Sequence, residues 1–197
     1  MLRRPVLPAA ILALGLTFAA HAEAAAEALP AALPDGTPNT PVPALDLDRY
    51  TGHWHEVARL PMFFQRNCIG DTTATYTSLD DGSIEVRNAC RTDDGMIEST
   101  GAARRAGDGG ALEVRFAPGW LGWVPMVWAD YWVVDLDPGY GWAVVGGPKQ
   151  GAMWILARET TLDPALFERI RQRAEARGYR LAELVVDPAQ RDRIAAE

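Results

Sequence analysis

Two cysteines, Cys68 and Cys90, and two histidines two positions apart, His53 and His55, are the residues whose types could carry covalent or metal chemistry. A thiolate nucleophile or a metal centre would need a base or a third ligand beside them. Spacing by two on a strand puts His53 and His55 on one face, where an exposed outer surface is a simpler reading than metal or haem ligation. The chain has no nucleophile elbow, P-loop, H-E-x-x-H or zinc-type cysteine spacing. The "GDGG" of residues 107–110 reads as a hairpin turn rather than a phosphate cradle. No catalytic residue, no metal and no cofactor is expected, and the chain reads as a non-enzyme.

The setting of the cysteines follows from the start of the chain. Arg3 and Arg4 precede an apolar run, and Ala20-His21-Ala22 offers small residues where a signal peptidase reads, which predicts a signal peptide over residues 1–22. The run is shorter than the roughly 20 residues of a membrane span. No cysteine follows it to take a lipid anchor, so the expectation is a soluble exported protein, periplasmic in a two-membrane bacterium. In that compartment an even pair of cysteines is expected as a disulfide. Losing Arg3 and Arg4 leaves 17 basic against 26 acidic residues, a net charge of −9. Such a surface repels nucleic acid and anionic membranes non-specifically, and no nucleic-acid partner is expected.

Residues 23–44 are Ala- and Pro-rich with few large apolar groups and read as a flexible tether. A single domain is expected over 45–187, with a tail over 188–197. From residue 52 the pattern is short strands with turn signals between them, eight in all: "HWHEVARL", "TTATYTSL", "IEVRNACR", "MIESTGAARR", "ALEVRF", "DYWVVDLD", "YGWAVVGG" and "MWILARE". One helix follows, with Asp163 as N-cap, Pro164 at its first position, Gly178 past its end and Leu166, Phe167, Ile170 and Ala174 on one stripe. "YRLAELVVD" then reads as a further extended segment. Eight antiparallel strands with neighbour-to-neighbour connections predict an all-β fold, an eight-stranded up-and-down barrel with one C-terminal helix packed outside. A β-sandwich is the competing architecture.

Gly52-x-Trp54 on the first strand, Asp137-x-x-Tyr140 at the turn between the sixth and seventh, and Arg158 at the end of the eighth match three signatures in order. On these the chain resembles the lipocalin family, in the bacterial branch that is also similar to apolipoprotein D, over roughly residues 45–187. The second signature usually begins with Thr, where this chain has Leu136. The resemblance implies that Trp54 lies across the closed end of the barrel with the Arg158 guanidinium over its ring, a cation–π contact. It also implies an interior that takes a small lipophilic molecule, a fatty acid or lysophospholipid, for transport or storage.

If Trp54 points inward, strand alternation turns Glu56, Ala58 and Leu60 inward too. The same alternation from Arg158 puts Leu156 and Trp154 inside, and the resemblance adds Ala74, Tyr76, Ile84, Val86, Asn88, Leu112, Val114, Tyr131 and Val133 as cavity-lining candidates. Tyr131 and Asn88 are the better candidates for orienting a polar head group, while Glu56 reads as a floor group or a ligand contact. The loops around the mouth are then "PMFFQRNCIG", "TDDG", "APGWLGWVPMVW" and "PKQG". Their apolar residues admit three readings: a lid, a protein contact, or contact with the outer or inner membrane through Trp120, Trp123 and Trp128. Pairing the second and third strands around the 79–83 turn brings Cys68 within reach of Cys90 and would tie the first loop to the mouth. A lipocalin-type enzyme, or an interaction protein working through the rim, are the alternatives to a carrier; oligomeric state is not encoded in any motif.

Overall fold

The computed structural model describes residues 29–196; the predicted signal peptide and the first residues of the predicted tether lie outside the described residues. A short helix α1 (Leu47–Tyr50) leads into β1 (Gly52–Arg59), followed by β2 (Gly70–Ser78), β3 (Ile84–Thr92), β4 (Gly95–Arg105), β5 (Ala111–Arg115), β6 (Ala129–Leu136), β7 (Trp142–Gly146) and β8 (Trp154–Ala157). Each strand pairs antiparallel with the next, and β1 pairs with both β2 and β8. The sheet therefore closes into the predicted up-and-down barrel, which removes its edges. A stretch of edge survives on β4. β5 opposes only Ala102–Arg105 of β4, so residues 95–101 of β4 run past it at the mouth.

Two apolar clusters divide the molecule. Trp54, Tyr76, Val86, Leu112, Tyr131, Val133, Val145 and Leu156 face the barrel interior, while Val57, Val134, Val144 and Ile155, alternating with them, face outward under α2 (Pro164–Ala176). That helix begins as the sequence predicts, with the Asp163 carboxylate accepting from the Ala165 and Leu166 N–H groups. It buries Phe167, Ile170 and Ala174, with each of the two larger side chains contributing about 1.5–3 kcal/mol. A bidentate pair from Arg173 to Asp135, at 2.6 and 2.7 Å, fixes its rotation.

The structure corrects three expectations. The tail predicted from residue 188 is a second helix, α3 (Pro188–Ala195), opened by the Asp187-Pro188 pair that repeats the Asp163-Pro164 signal. Its Gln190 is fully buried and exchanges two hydrogen bonds with the Leu162 backbone. Between the helices the predicted extended segment supplies β9 (Val185–Val186), which pairs with Ala58 and Arg59 where β2 has diverged from β1.

The described part of the predicted tether is a strap along the barrel. Val42 donates to the Val133 carbonyl and accepts from Gly110, Asn39 donates to Gly147, and Arg173 and Arg177 donate to the carbonyls of Ala31 and Pro38. Proline-rich backbone already holds an extended shape, so laying it down costs little entropy.

The third correction concerns β1. The β1–β8 register shifts between Glu56 and Ala58. Such a bulge reverses the in-and-out alternation beyond it. Ala58 and Leu60 consequently face the outer cluster, and Arg59 takes the inward position opposite Trp154.

Candidate functional site

The floor is built around one guanidinium. Arg158 lies 3.8 Å over the Trp54 ring. Its Nη1 donates to His53 O at 2.8 Å, and its Nη2 faces the carbonyls of Arg49, Tyr50 and Thr51 at 2.7–3.1 Å. Those carbonyls end α1, so a cation there also meets the negative end of that turn. The Trp54 indole N–H donates to Tyr50 O at 2.8 Å. Gly52 has φ +99°, a backbone conformation that favours glycine, and a Cβ there would crowd Arg158 Nη1 at 3.3 Å. Asp137 caps the neighbouring turn by accepting from Gly141 N–H, and Tyr140 accepts from Asp46 N–H beneath the Arg49 guanidinium. The Arg158 guanidinium and the Trp54 N–H are both spent on backbone carbonyls, so the signature residues close this end of the barrel.

Above the floor stand three phenols. Tyr131 Oη lies 2.8 Å from Tyr50 Oη and 2.7 Å from Tyr76 Oη. Burial pushes Tyr76 up to about 12 and Tyr50 and Tyr131 well above the usual tyrosine range, so all three are neutral. Three hydroxyl protons share two hydrogen bonds, which leaves one donor to spare. Higher on β3, Asn88 faces inward opposite Ala74, and its Oδ1 is buried without a hydrogen-bond partner.

The mouth end of the interior holds a polar group of a different kind. Glu56 and Arg59 approach to 3.3 Å with side chains about nine-tenths buried. The first loop turns inward above them at Phe63–Gln65, and Gln65 enters the barrel. Its Nε2 donates to Glu56 at 2.8 Å, its Oε1 accepts from Trp154 Nε1 at 2.9 Å, and its carbonyl accepts from Arg59 at 3.1 Å. Desolvation raises the Glu56 carboxyl to about 7, against the smaller lowering effects of Gln65 and Arg59. Three residues beyond Gln65, Cys68 is bonded to Cys90 on β3 with 5.6 Å between Cα atoms. The predicted disulfide forms and moors this loop, and no described cysteine is free.

Of the predicted lining residues, Ala74, Tyr76, Val86, Leu112, Tyr131 and Val133 lie in the interior cluster, and Val114 and Trp154 pack against it. Glu56 and Asn88 also face inward. Ala58 does not. Tyr50, Arg59 and Gln65 belong to the interior and escaped the sequence reading: one precedes the first strand, one follows an unforeseen bulge, and one sits in a loop. His53 and His55 are edge-to-face on the outer surface, with His53 against Thr75. Among the described residues no group of three ligating side chains could hold a metal.

Around the mouth, Phe63, Trp120, Trp123 and Met126 are 77, 74, 80 and 89% exposed. They are not packed onto the barrel as a lid. Trp128 differs from the other loop tryptophans: it lies between the Arg104 and Arg115 guanidinium groups, at 4.0 and 5.1 Å, and its N–H donates to Gly122 O. It holds the loop's shape and leaves outward contact to the others.

Comparison with known proteins agrees with this architecture. A family model described as a lipocalin-like domain matches residues 45–189. Temperature-induced lipocalin-1 of Arabidopsis thaliana is 36% identical over 153 residues, covering 75% of this chain and 81% of the relative. The outer membrane lipoprotein Blc of Citrobacter freundii is 34% identical over 150 residues, covering 74% and 80%. Among solved structures, insecticyanin from the tobacco hornworm Manduca sexta superposes with a TM-score of 0.59 at 22% identity, over 79% of this chain and 87% of that one. The signatures at the floor, the closed eight-stranded barrel and these matches together place the chain in the lipocalin family, whose members bind small hydrophobic molecules.

Proposed function

We propose that this chain is an exported carrier that holds one small lipophilic molecule, a fatty acid, lysophospholipid or similar, inside the barrel and acts by binding without turnover. The observation that carries the reading is the contrast within the barrel. An interior of buried apolar side chains has isolated polar groups at fixed heights, and its mouth is covered by a moored loop. This is the composition of a site that takes affinity from apolar burial and orientation from a few polar contacts. Ala74, Tyr76, Val86, Asn88, Leu112, Val114, Tyr131, Val133, Trp154 and Glu56 are the proposed lining. A thiol-dependent lipid enzyme loses support because Cys68 and Cys90 are bonded to each other.

The kinship with relatives named as outer membrane lipoproteins, together with the signal-like residues 1–22, supports export to the cell envelope. A second role rests on the rim. Trp120, Trp123, Met126, Phe63 and Phe64 are exposed at the same end as the opening, a composition suited to transient contact with a lipid surface during loading or delivery. Native mass spectrometry of the mature protein, purified without detergent and followed by organic extraction, tests the carrier reading. One lipid per chain supports it. A bare mass that persists after incubation with fatty acids, fatty alcohols and lysophospholipids overturns it.

A further inference from the structure

The first loop inverts the usual polarity of a surface turn. Phe63 and Phe64 face solvent while the neighbouring Gln65 points into the protein. Apolar burial therefore does not seat this turn; the contacts made by Gln65 do. The Gln65 amide presents one donor edge and one acceptor edge in a plane, and the barrel reads both, with Glu56 accepting and Trp154 donating at 2.8 and 2.9 Å. A carboxylic acid group has the same planar shape and the same donor–acceptor pattern.

Two further features show what the position favours. Arg59 is a buried cation whose Nε–H has no hydrogen-bond acceptor, although Glu56 Oε1 lies 3.3 Å away, out of line. The charged groups facing Glu56 are Arg59 on its own strand and Asp187 from the segment before α3, with neutral Tyr76 across the barrel. A ligand carboxylate beside Glu56 would place two negative charges against one guanidinium in an enclosed site. One added proton makes that group neutral, and a buried unbalanced charge is costly.

We propose, resting on the carrier reading, that Gln65 occupies the head-group position of the ligand, and that the ligand is a carboxylic acid with an apolar tail, bound with one proton shared between its carboxyl and that of Glu56. The ligand displaces Gln65, accepts from Trp154 N–H and gives the Arg59 Nε–H its acceptor. Ligand entry and loop release are then one event, limited in amplitude by the Cys68–Cys90 mooring. No covalent bond changes. The proton comes from solvent whenever Glu56 and the ligand are both ionised beforehand. A phosphodiester head, permanently ionised, cannot share such a proton and fits this position less well.

Isothermal titration calorimetry of the mature chain with decanoic acid tests the proposal, run at pH 6 and pH 8 in two buffers of different ionisation enthalpy. The expected result is uptake of close to one proton per ligand at pH 8 and a small fraction of one at pH 6, with affinity falling about tenfold per pH unit above pH 7. Glu56→Gln is expected to abolish the uptake and to bind decanoate about tenfold more tightly than the native chain at pH 8. Gln65→Ala, which removes the internal occupant and leaves the barrel wall intact, is expected to bind several-fold more tightly at both pH values. Decanol and lysophosphatidylcholine serve as probes without a carboxyl. If these bind while decanoate binds with no proton uptake, or if neither substitution changes decanoate affinity, the head-group proposal is overturned and the carrier reading stands. If no lipophile binds, both fall.

Discussion

The two ends of this barrel are built from similar residues to opposite purposes. At the floor, Arg158 stacks on Trp54, is matched to backbone carbonyls and has no buried atom without a partner. At the mouth, Arg59 is paired imperfectly with Glu56, keeps an unused N–H, and depends on a loop glutamine for company. One arginine has its partners supplied by rigid backbone; the other has partners that a ligand can replace. A fully satisfied buried polar network rigidifies, whereas a partly satisfied one marks a place where something can exchange. The family signatures mark the end that does not change, and they carry no information about what is bound.

This contrast can be broken by substitution, starting at the floor. Trp54→Ala removes the ring beneath Arg158 and is expected to cost about 3–5 kcal/mol in denaturant unfolding. Arg158→Met should follow the same course, since it leaves the α1 carbonyls without their donor. Cys68→Ser together with Cys90→Ser is expected to cost about 2–4 kcal/mol. Unlike the floor variants, it should raise hydrogen exchange chiefly in residues 60–69, because only that loop loses its mooring.

The Glu56 carboxyl sets the pH dependence. Its folded value, about 7, lies above the 4.5 of an unperturbed carboxyl, so the folded state binds the proton more tightly. Its contribution is therefore fully present below about pH 4.5 and is lost as pH rises to about 7. The loss amounts to roughly 3 kcal/mol at pH 8 by linkage. Chemical denaturation of the native chain and Glu56→Gln across pH 5 to 8 checks this: the difference between them should move in favour of the variant as pH rises, and parallel curves contradict it. The smallest effect on folding is expected at the rim. Trp120→Ala with Trp123→Ala should change stability by less than about 0.5 kcal/mol, yet reduce sedimentation with zwitterionic vesicles. Unchanged vesicle binding removes the membrane role from the rim.

Much of the barrel was legible because each signal was local. Alternation gave eight strands, Asp163-Pro164 started α2 where it starts, and the 79–83 turn fixed the register that brings Cys68 to Cys90. The same local signal lay unused at Asp187-Pro188, which opens α3 in a stretch short enough to read as a tail. The strap over residues 31–42 was hidden because its partners are Gly110 before β5, Val133 on β6, Gly147 after β7 and Arg173 and Arg177 at the end of α2, more than 60 residues away in sequence. The interior was legible as far as strict alternation held. A single register shift after Glu56 exchanged Ala58 for Arg59, and no residue type in "HEVAR" announces a bulge. Gln65 carries no periodicity at all, so the group that occupies the mouth is visible only once the loop is folded over it.

Whether the ligand sits inside the barrel is tested by comparing lipid capture by the native chain and by Asn88→Trp, using native mass spectrometry under conditions that keep both folded. Asn88 faces the middle of the barrel, away from the floor and the rim. An indole there fills the interior and leaves both ends intact. A carrier that binds inside the barrel holds one lipid per native chain and none on the variant, with equal vesicle binding by the two. Equal lipid capture by both would place the ligand outside the barrel and contradict this reading.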